Sequence, residues 1–258
     1  TGVQVIQLPV PTPTLTPGPS PTPIPGQITQ GGMVAYGKSH NLARTPNGRL
    51  HLLYTTDPRR DLYHIWSDDS GATWQPAPPL LAATADQMEI SVAPDTSGGL
   101  NLEYGGWDGQ NTYFKHFDGQ QWGNSTYLAD NAFGRNIAVD SAGRVHVLWS
   151  NSDTWYARFD GQRWTPPRQI AYGAWHPTIA VGPDDSLHVA FNDNDFCCDH
   201  DGVQVRYISS TDGGDTWAQP VNVSQTNAWS GGAAVSVSQD GVVHLVYVVQ
   251  SPVVAGGL

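Results

Sequence analysis

Five stretches of the chain alternate large apolar residues with a fixed polar marker: Leu50–Tyr54, Leu100–Tyr104, Val145–Trp149, Leu187–Phe191 and Val243–Tyr247. The marker is His51, Asn101, His146, His188 and His244 in turn. Alternation with period two is the mark of a strand that buries at least one face. The markers lie 50, 45, 42 and 56 residues apart, by subtraction of their positions. Strand units recurring every ~40–50 residues predict the blades of a β-propeller.

Each marker strand follows a turn and an earlier apolar stretch, such as Ile137–Val139 ahead of Ser141–Gly143, or Ile179–Val181 ahead of Gly182–Asp185. In the first four repeats a third strand and a tight turn come next. A tryptophan (Trp74, Trp122, Trp164, Trp217) is then read as opening a fourth strand. Two of these turns read F-D-G-Q-Q-W and F-D-G-Q-R-W, at Phe117–Trp122 and Phe159–Trp164. Asp-Gly predicts a hairpin with both central residues at positive φ. The unit is therefore four antiparallel strands. The blades are predicted at about 33–80, 87–129, 134–171 and 176–223, with a partial fifth at 229–258.

Sheets need their edges covered. Two solutions stay open: the chain is a fragment of a six-bladed ring, or the N-terminus donates a strand. Gly2–Val5 repeats the G-V-Q-V of Gly202–Val205, which makes the second solution concrete. Residues 1–10 read as an extension and 11–27 as a Pro/Thr-rich linker, leaving 28–258 for the propeller. Proline fixes φ and lacks an N–H, so the tract should run extended as a spacer. Such a spacer suits an exported protein held off a cell surface, or an ordinary interdomain linker. No leader is legible ahead of Thr1, so one is expected to have been removed or to lie upstream.

Composition narrows the function classes. Lys and Arg number 12 against 23 Asp and Glu, a net charge of −11, which argues against a nucleic-acid partner. No apolar run is long enough to span a bilayer as a helix. Gly (28), Pro (20) and Trp (10) suit many short strands joined by tight turns.

Two segments carry a more specific signal: S-D-D-S-G-A-T-W at Ser67–Trp74 and S-T-D-G-G-D-T-W at Ser210–Trp217. Both fit S-x-D-x-G-x-T-W, the Asp-box, and the chain resembles the sialidase superfamily of Asp-box (BNR-repeat) β-propellers over roughly residues 33–250. The resemblance implies a structural job for Ser67, Asp69, Gly71, Thr73 and Trp74, and for Ser210, Asp212, Gly214, Thr216 and Trp217. The carboxylates tie their own turns, the glycines permit positive φ, and the tryptophans pack between sheets. It also places ligands at the opposite mouth, built from the starts of first strands and the loops after second strands.

That mouth would gather Lys38, His40, Glu89, Trp107, Asp108, Arg135, Asp153, Trp155, Trp175 and His176, with Trp229 beside them. Aromatic faces suit the C–H patches of sugars, and Asp and Asn accept hydroxyl hydrogen bonds. Any one aromatic can instead be rim packing, above all Trp155, which borders the third strand. The family's catalytic set would put Arg59 or Arg60 on a substrate carboxylate and Asp61 as acid/base. The place of the family's first arginine reads Y-G-K-S-H-N-L (Tyr36–Leu42), with Lys38 near it. The chain's only glutamates, Glu89 and Glu103, do not occupy the place of the family's Tyr-activating Glu. The resemblance thus implies an exported, monomeric module that binds a glycan or glycoconjugate without complete sialidase machinery. The alternatives are an exo-acting glycoside hydrolase and a protein-binding scaffold.

The loop Asn192–Gly202 holds the only cysteines, Cys197 and Cys198, side by side. Neighbouring Cα atoms are about 3.8 Å apart, short of ordinary disulfide spacing, so a bridge would be a strained ring and two free thiols are the other outcome. Asp193, Asp195, Asp199 and Asp201 are hard oxygen donors of the kind calcium takes. A solvated acidic loop is the plainer outcome, and zinc on Cys197, Cys198 and His200 a third. No cofactor is required.

Overall fold

The computed structural model describes residues 40–55, 62–75, 79–81, 89–105, 111–193, 203–226 and 228–250. Among them there are only strands and turns, and no helix long and apolar enough to cross a membrane. The first sheet holds β1 (Leu42–Arg44), β2 (Leu50–Thr55), β3 (Leu62–Ser67) and β4 (Pro79–Leu81). The second holds β5 (Glu89–Pro94), β6 (Leu100–Gly105), β7 (Thr112–Phe117) and β8 (Thr126–Ala129). The third holds β9 (Phe133–Val139), β10 (Val145–Ser150), β11 (Thr154–Phe159) and β12 (Arg168–Ala171). The fourth holds β13 (Ala174–Val181), β14 (Leu187–Asp193), β15 (Gln204–Ser210) and β16 (Val221–Asn222). A fifth contains β17 (Ser230–Val237) and β18 (Val243–Val249). All pairings are antiparallel between consecutive strands.

The first strands form the hub. β1 touches β5, β5 touches β9, β9 touches β13 and β13 touches β17. A first strand has one edge with no sheet neighbour, so its inward N–H needs another acceptor. The preceding sheet supplies it at one repeated position. Val92 N donates to the His40 carbonyl at 2.7 Å, Ile137 N to Ser91 Oγ at 3.2 Å, and Ile179 N to Asn136 Oδ1 at 2.9 Å. Apolar residues fill the space between sheets: Ile179, Leu187, Val189, Phe191 and Ile208 cluster with Leu148 and Tyr156 of the sheet before.

Three of the marker histidines, His51, His146 and His188, are internal struts, whereas His244 is exposed. His51 Nε2 lies 3.4 Å from Thr45 Oγ1 and its Nδ1 lies 2.9 Å from His64 Nε2. His146 runs from Asp140 (3.1 Å) to the Tyr156 hydroxyl (2.7 Å), and His188 from Ser186 (2.7 Å) to the Tyr207 hydroxyl (2.6 Å). Each ties the first turn of its sheet to the third strand.

The two S-x-D-x-G-x-T-W turns close on themselves in the same way. Gly71 N donates to Ser67 Oγ (2.8 Å), and Thr73 N and Oγ1 donate to the Asp69 carboxylate (2.8 and 2.6 Å). In the second, Gly214 N donates to Ser210 Oγ (2.9 Å) and Thr216 N to Asp212 Oδ1 (2.8 Å). Gly71 and Gly214 both sit at φ 92°. These bonds hold the Asp69 carboxyl down at about 2 and push that of Asp212 lower still, with the threonine hydroxyl the largest cause in each.

Two details differ from the reading of the sequence. In the Asp-Gly turns only the glycines take positive φ (Gly119 93°, Gly161 94°). The aspartates instead cap the turn, Asp118 Oδ1 accepting from Gln120 N and Gln121 N, and Asp160 Oδ1 from Gln162 N and Arg163 N. Side-chain capping stabilises the turn without a left-handed aspartate. The turn tryptophans also do not open fourth strands. Trp122 and Trp164 make only isolated bridges, to Phe117 and Phe159, and β8 and β12 start four residues later. Their indoles reach into the preceding sheet. Trp122 stands edge-on to His64 (5.5 Å), Trp164 to Phe114 (5.1 Å) and Trp217 to Tyr156 (5.2 Å).

Candidate functional site

At one end of the sheets, the starts of the first strands meet the ends of the second strands. Ser150 faces Phe133, Asn192 faces Trp175, and Val248 faces Gly231. Just past these pairs β9, β13 and β17 each carry one more residue than the partner strand. Such a bulge bends the strand and re-aims its side chains, and bulges cluster next to binding sites. In β13 the extra residue is His176, at φ 50° immediately before Pro177. A non-glycine residue there stores roughly 1–3 kcal/mol of strain.

The bulges present aromatic residues. Phe133 is 37% exposed, and its ring lies 6.2 Å from that of His176. His176 in turn lies 6.3 Å from Trp175. In β17 the matching position is Gly231, and the aromatic group comes from Trp229, two residues earlier and 36% exposed. Polar groups sit among them. Asp153 Oδ1 accepts from Gly173 N at 2.8 Å, tying the loop after β10 to the start of the fourth sheet. Ser150 Oγ and Asn192 Oδ1, in the residues opposite Phe133 and Trp175, are buried and meet no hydrogen-bond partner among the described residues. Farther along the hub the same holds for Asn136 Nδ2 and Thr178 Oγ1.

Of the residues the sequence nominated, Trp175, His176 and Asp153 come together here. Arg135 lies in β9 between Phe133 and Asn136, placed by its backbone. Glu89 starts β5, opposite Gly105, and exposed His40 precedes β1. Trp155, in β11, packs against the third sheet's core cluster. Asp193 is buried and pairs with Arg206. Lys38, Arg59, Arg60, Asp61, Trp107, Asp108, Asp195, Cys197, Cys198, Asp199 and Asp201 lie outside the described residues, and no cluster of metal-binding side chains occurs among the described ones. Phe133 was missed, although a signal existed. It stands 13 residues before His146, as Trp175 stands 13 before His188.

No family model matches the chain, and no curated protein does. Solved structures do match. An α-L-arabinanase of Penicillium chrysogenum, complexed with arabinobiose, shares 13% identity over 87% of this chain and 81% of that one, with TM-score 0.57. The Aleuria aurantia lectin, in complex with Fucα1-6GlcNAc, shares 10% identity over 79% and 69%, with TM-score 0.56. A Hadza microbial sialidase shares 15% identity over 77% of this chain, with TM-score 0.52, and the chain spans 49% of that protein's length. The fold is thus an all-β propeller of antiparallel four-stranded sheets.

Proposed function

We propose that this propeller binds glycan at the bulged mouth of its first strands and acts as an exported, monomeric module without complete sialidase machinery. The observation that carries the reading is the run Phe133–His176–Trp175, with His176 in ring contact with each of the other two, at the ends of two adjacent, bulged strands. Exposed Phe133 and the half-buried rings of His176 and Trp175 suit the C–H face of a sugar ring. Similarity to a lectin, an arabinanase and a sialidase supports a carbohydrate ligand. We read the S-x-D-x-G-x-T-W turns as Asp-boxes at the opposite rim, and the sheets as part of a six-bladed ring. Glu89, His40, Lys38, Arg135, Trp107 and Asp108 are proposed to extend the mouth. Asp61 with Arg59 or Arg60 is the set to test for hydrolysis.

A glycan array tests the reading. The full chain should bind at least one class of sugar. Trp175→Ala should weaken that binding by about tenfold or more, the loss of one well-packed aromatic anchor. An array blank across all classes, with folded protein, would overturn it.

A further inference from the structure

The fifth sheet breaks the pattern of the third and fourth in an informative way. Phe133 and Trp175 occupy equivalent places opposite Ser150 and Asn192, but the fifth sheet has Gly231 there, opposite Val248. A Cβ built on Gly231 would sit 2.7 and 2.8 Å from two ring carbons of Trp229, and 3.2 Å from Asn192 Nδ2. Only a residue without a side chain lets the indole lie against the strand at that place. The peptide unit that follows Trp229 is fixed at both its carbonyl and its N–H. Its carbonyl accepts from Gln250 N (2.9 Å), and Ser230 N donates to Val203 O (2.7 Å). Trp229 is nonetheless 36% exposed.

Asn192 links the two aromatic groups. It faces Trp175 across the β13–β14 pair, and its amide reaches Gly231 beneath Trp229. Its Oδ1 is buried and meets no donor among the described residues, which leaves an unused acceptor where the two sheets join. Trp175 stands in the fourth sheet and Trp229 directly precedes the first strand of the fifth, so a ligand in contact with both crosses from one sheet to the next.

We infer that Trp229 on Gly231 is a second sugar platform, and that the ligand is an oligosaccharide laid across the fourth and fifth sheets rather than a single terminal residue. The inference rests on the glycan-binding reading above. It adds that affinity depends on chain length and that the length dependence resides in Trp229.

Length series of xylo-, arabino-, cello- and N-acetylchito-oligosaccharides, one to four residues each, are titrated against the full chain by calorimetry. In the series that binds, affinity should rise about tenfold or more between the monosaccharide and the trisaccharide. Trp229→Ala should remove that gain while leaving the monosaccharide affinity within about twofold, and Trp175→Ala should lower affinity at every length. Gly231→Ala, which keeps Trp229 but displaces its ring, should reproduce Trp229→Ala, with an unchanged far-ultraviolet spectrum confirming the fold. Equal affinity at all lengths, or a full length gain in both Trp229→Ala and Gly231→Ala, overturns the second platform while leaving the glycan reading in place. Absence of binding in every series and on the glycan array, with folded protein, overturns both.

Discussion

At the scale of single residues, the most tightly determined group is the chain Trp122–His64–His51–Thr45. Trp122 Nε1–H can only donate, and it donates to His64 Nδ1 at 3.1 Å. His64 Nε2–H must then donate to His51 Nδ1, and His51 Nε2–H faces Thr45 Oγ1. Every nitrogen is used with both imidazoles neutral, so a proton on either ring would break a bond. Burial is the largest cause that lowers His64 to about 3 and His51 to about 4, from an ordinary value of 6.5. The unfolded chain takes up these protons near pH 6.5, whereas the folded chain resists them until far lower. Stability is therefore full above that pH and declines as pH falls from 6.5 toward 4. The second sheet places Asn101 and Phe114 at the same two positions, without a titratable pair. Melting temperature followed from pH 7.5 to 4.5 should drop in the parent protein, and His51→Asn/His64→Phe should flatten the drop. A double variant as acid-sensitive as the parent would show that other groups carry the effect.

At the scale of elements, the two S-x-D-x-G-x-T-W turns share a sequence and a backbone but differ in what lies beside them. Gly71 and Gly214 have the same φ, so alanine at either forfeits about 1–2 kcal/mol of backbone preference. At Gly71 a Cβ would find its nearest atoms at 3.6 and 3.9 Å. At Gly214 it would strike the Tyr156 hydroxyl and ring, adding an overpacking cost of typically about 1–3 kcal/mol. Tyr156 cannot withdraw freely, because its hydroxyl bridges His146 and the Gly213 carbonyl. Urea denaturation should accordingly rank Gly214→Ala as clearly less stable than Gly71→Ala; equal losses would mean that the contact between sheets contributes nothing.

The contrast between these turns also shows what was legible in the sequence. Period-two alternation and the spaced marker exposed the strands, because burial on a pleated face leaves its imprint on each side chain in order. The turn motif exposed its own bonds, because donors and acceptors lie within eight residues. The mouth bulges were not legible. An extra residue in β13 depends on the length of the strand beside it, and no local pattern around His176 records that. Trp229 was legible as a mouth aromatic, but its packing over Gly231 was not, because that depends on the fold of the strand beneath it.

At the scale of the whole molecule, the sheets are unequal in cover. The third and fourth are sandwiched, and Val147, Leu148, Leu187, Val189, Val205 and Ile208 reach zero exposure. The described part of the fifth sheet has two strands. One face packs on the fourth sheet through Ala233 and Val235, and the other leaves Val246 71% and Val248 57% exposed. The first sheet is similarly open at Leu42, 57% exposed. Local stability follows buried apolar contact, because opening a covered sheet exposes two interfaces and opening an uncovered one exposes a single interface. Hydrogen exchange on the full chain should therefore show a gradient. Amides of β10 and β14, central in sandwiched sheets, should be the slowest. Amides of β17 and β18 should exchange by a separate opening of lower free energy and at lower urea, with β1 and β2 between. The struts sharpen the expectation, since the His146–Tyr156–Gly213 contact ties the third sheet to the fourth. If β18 amides were instead protected as well as those of β14 and lost protection at the same urea concentration, the sheets would open as one unit and uneven cover would have no energetic consequence.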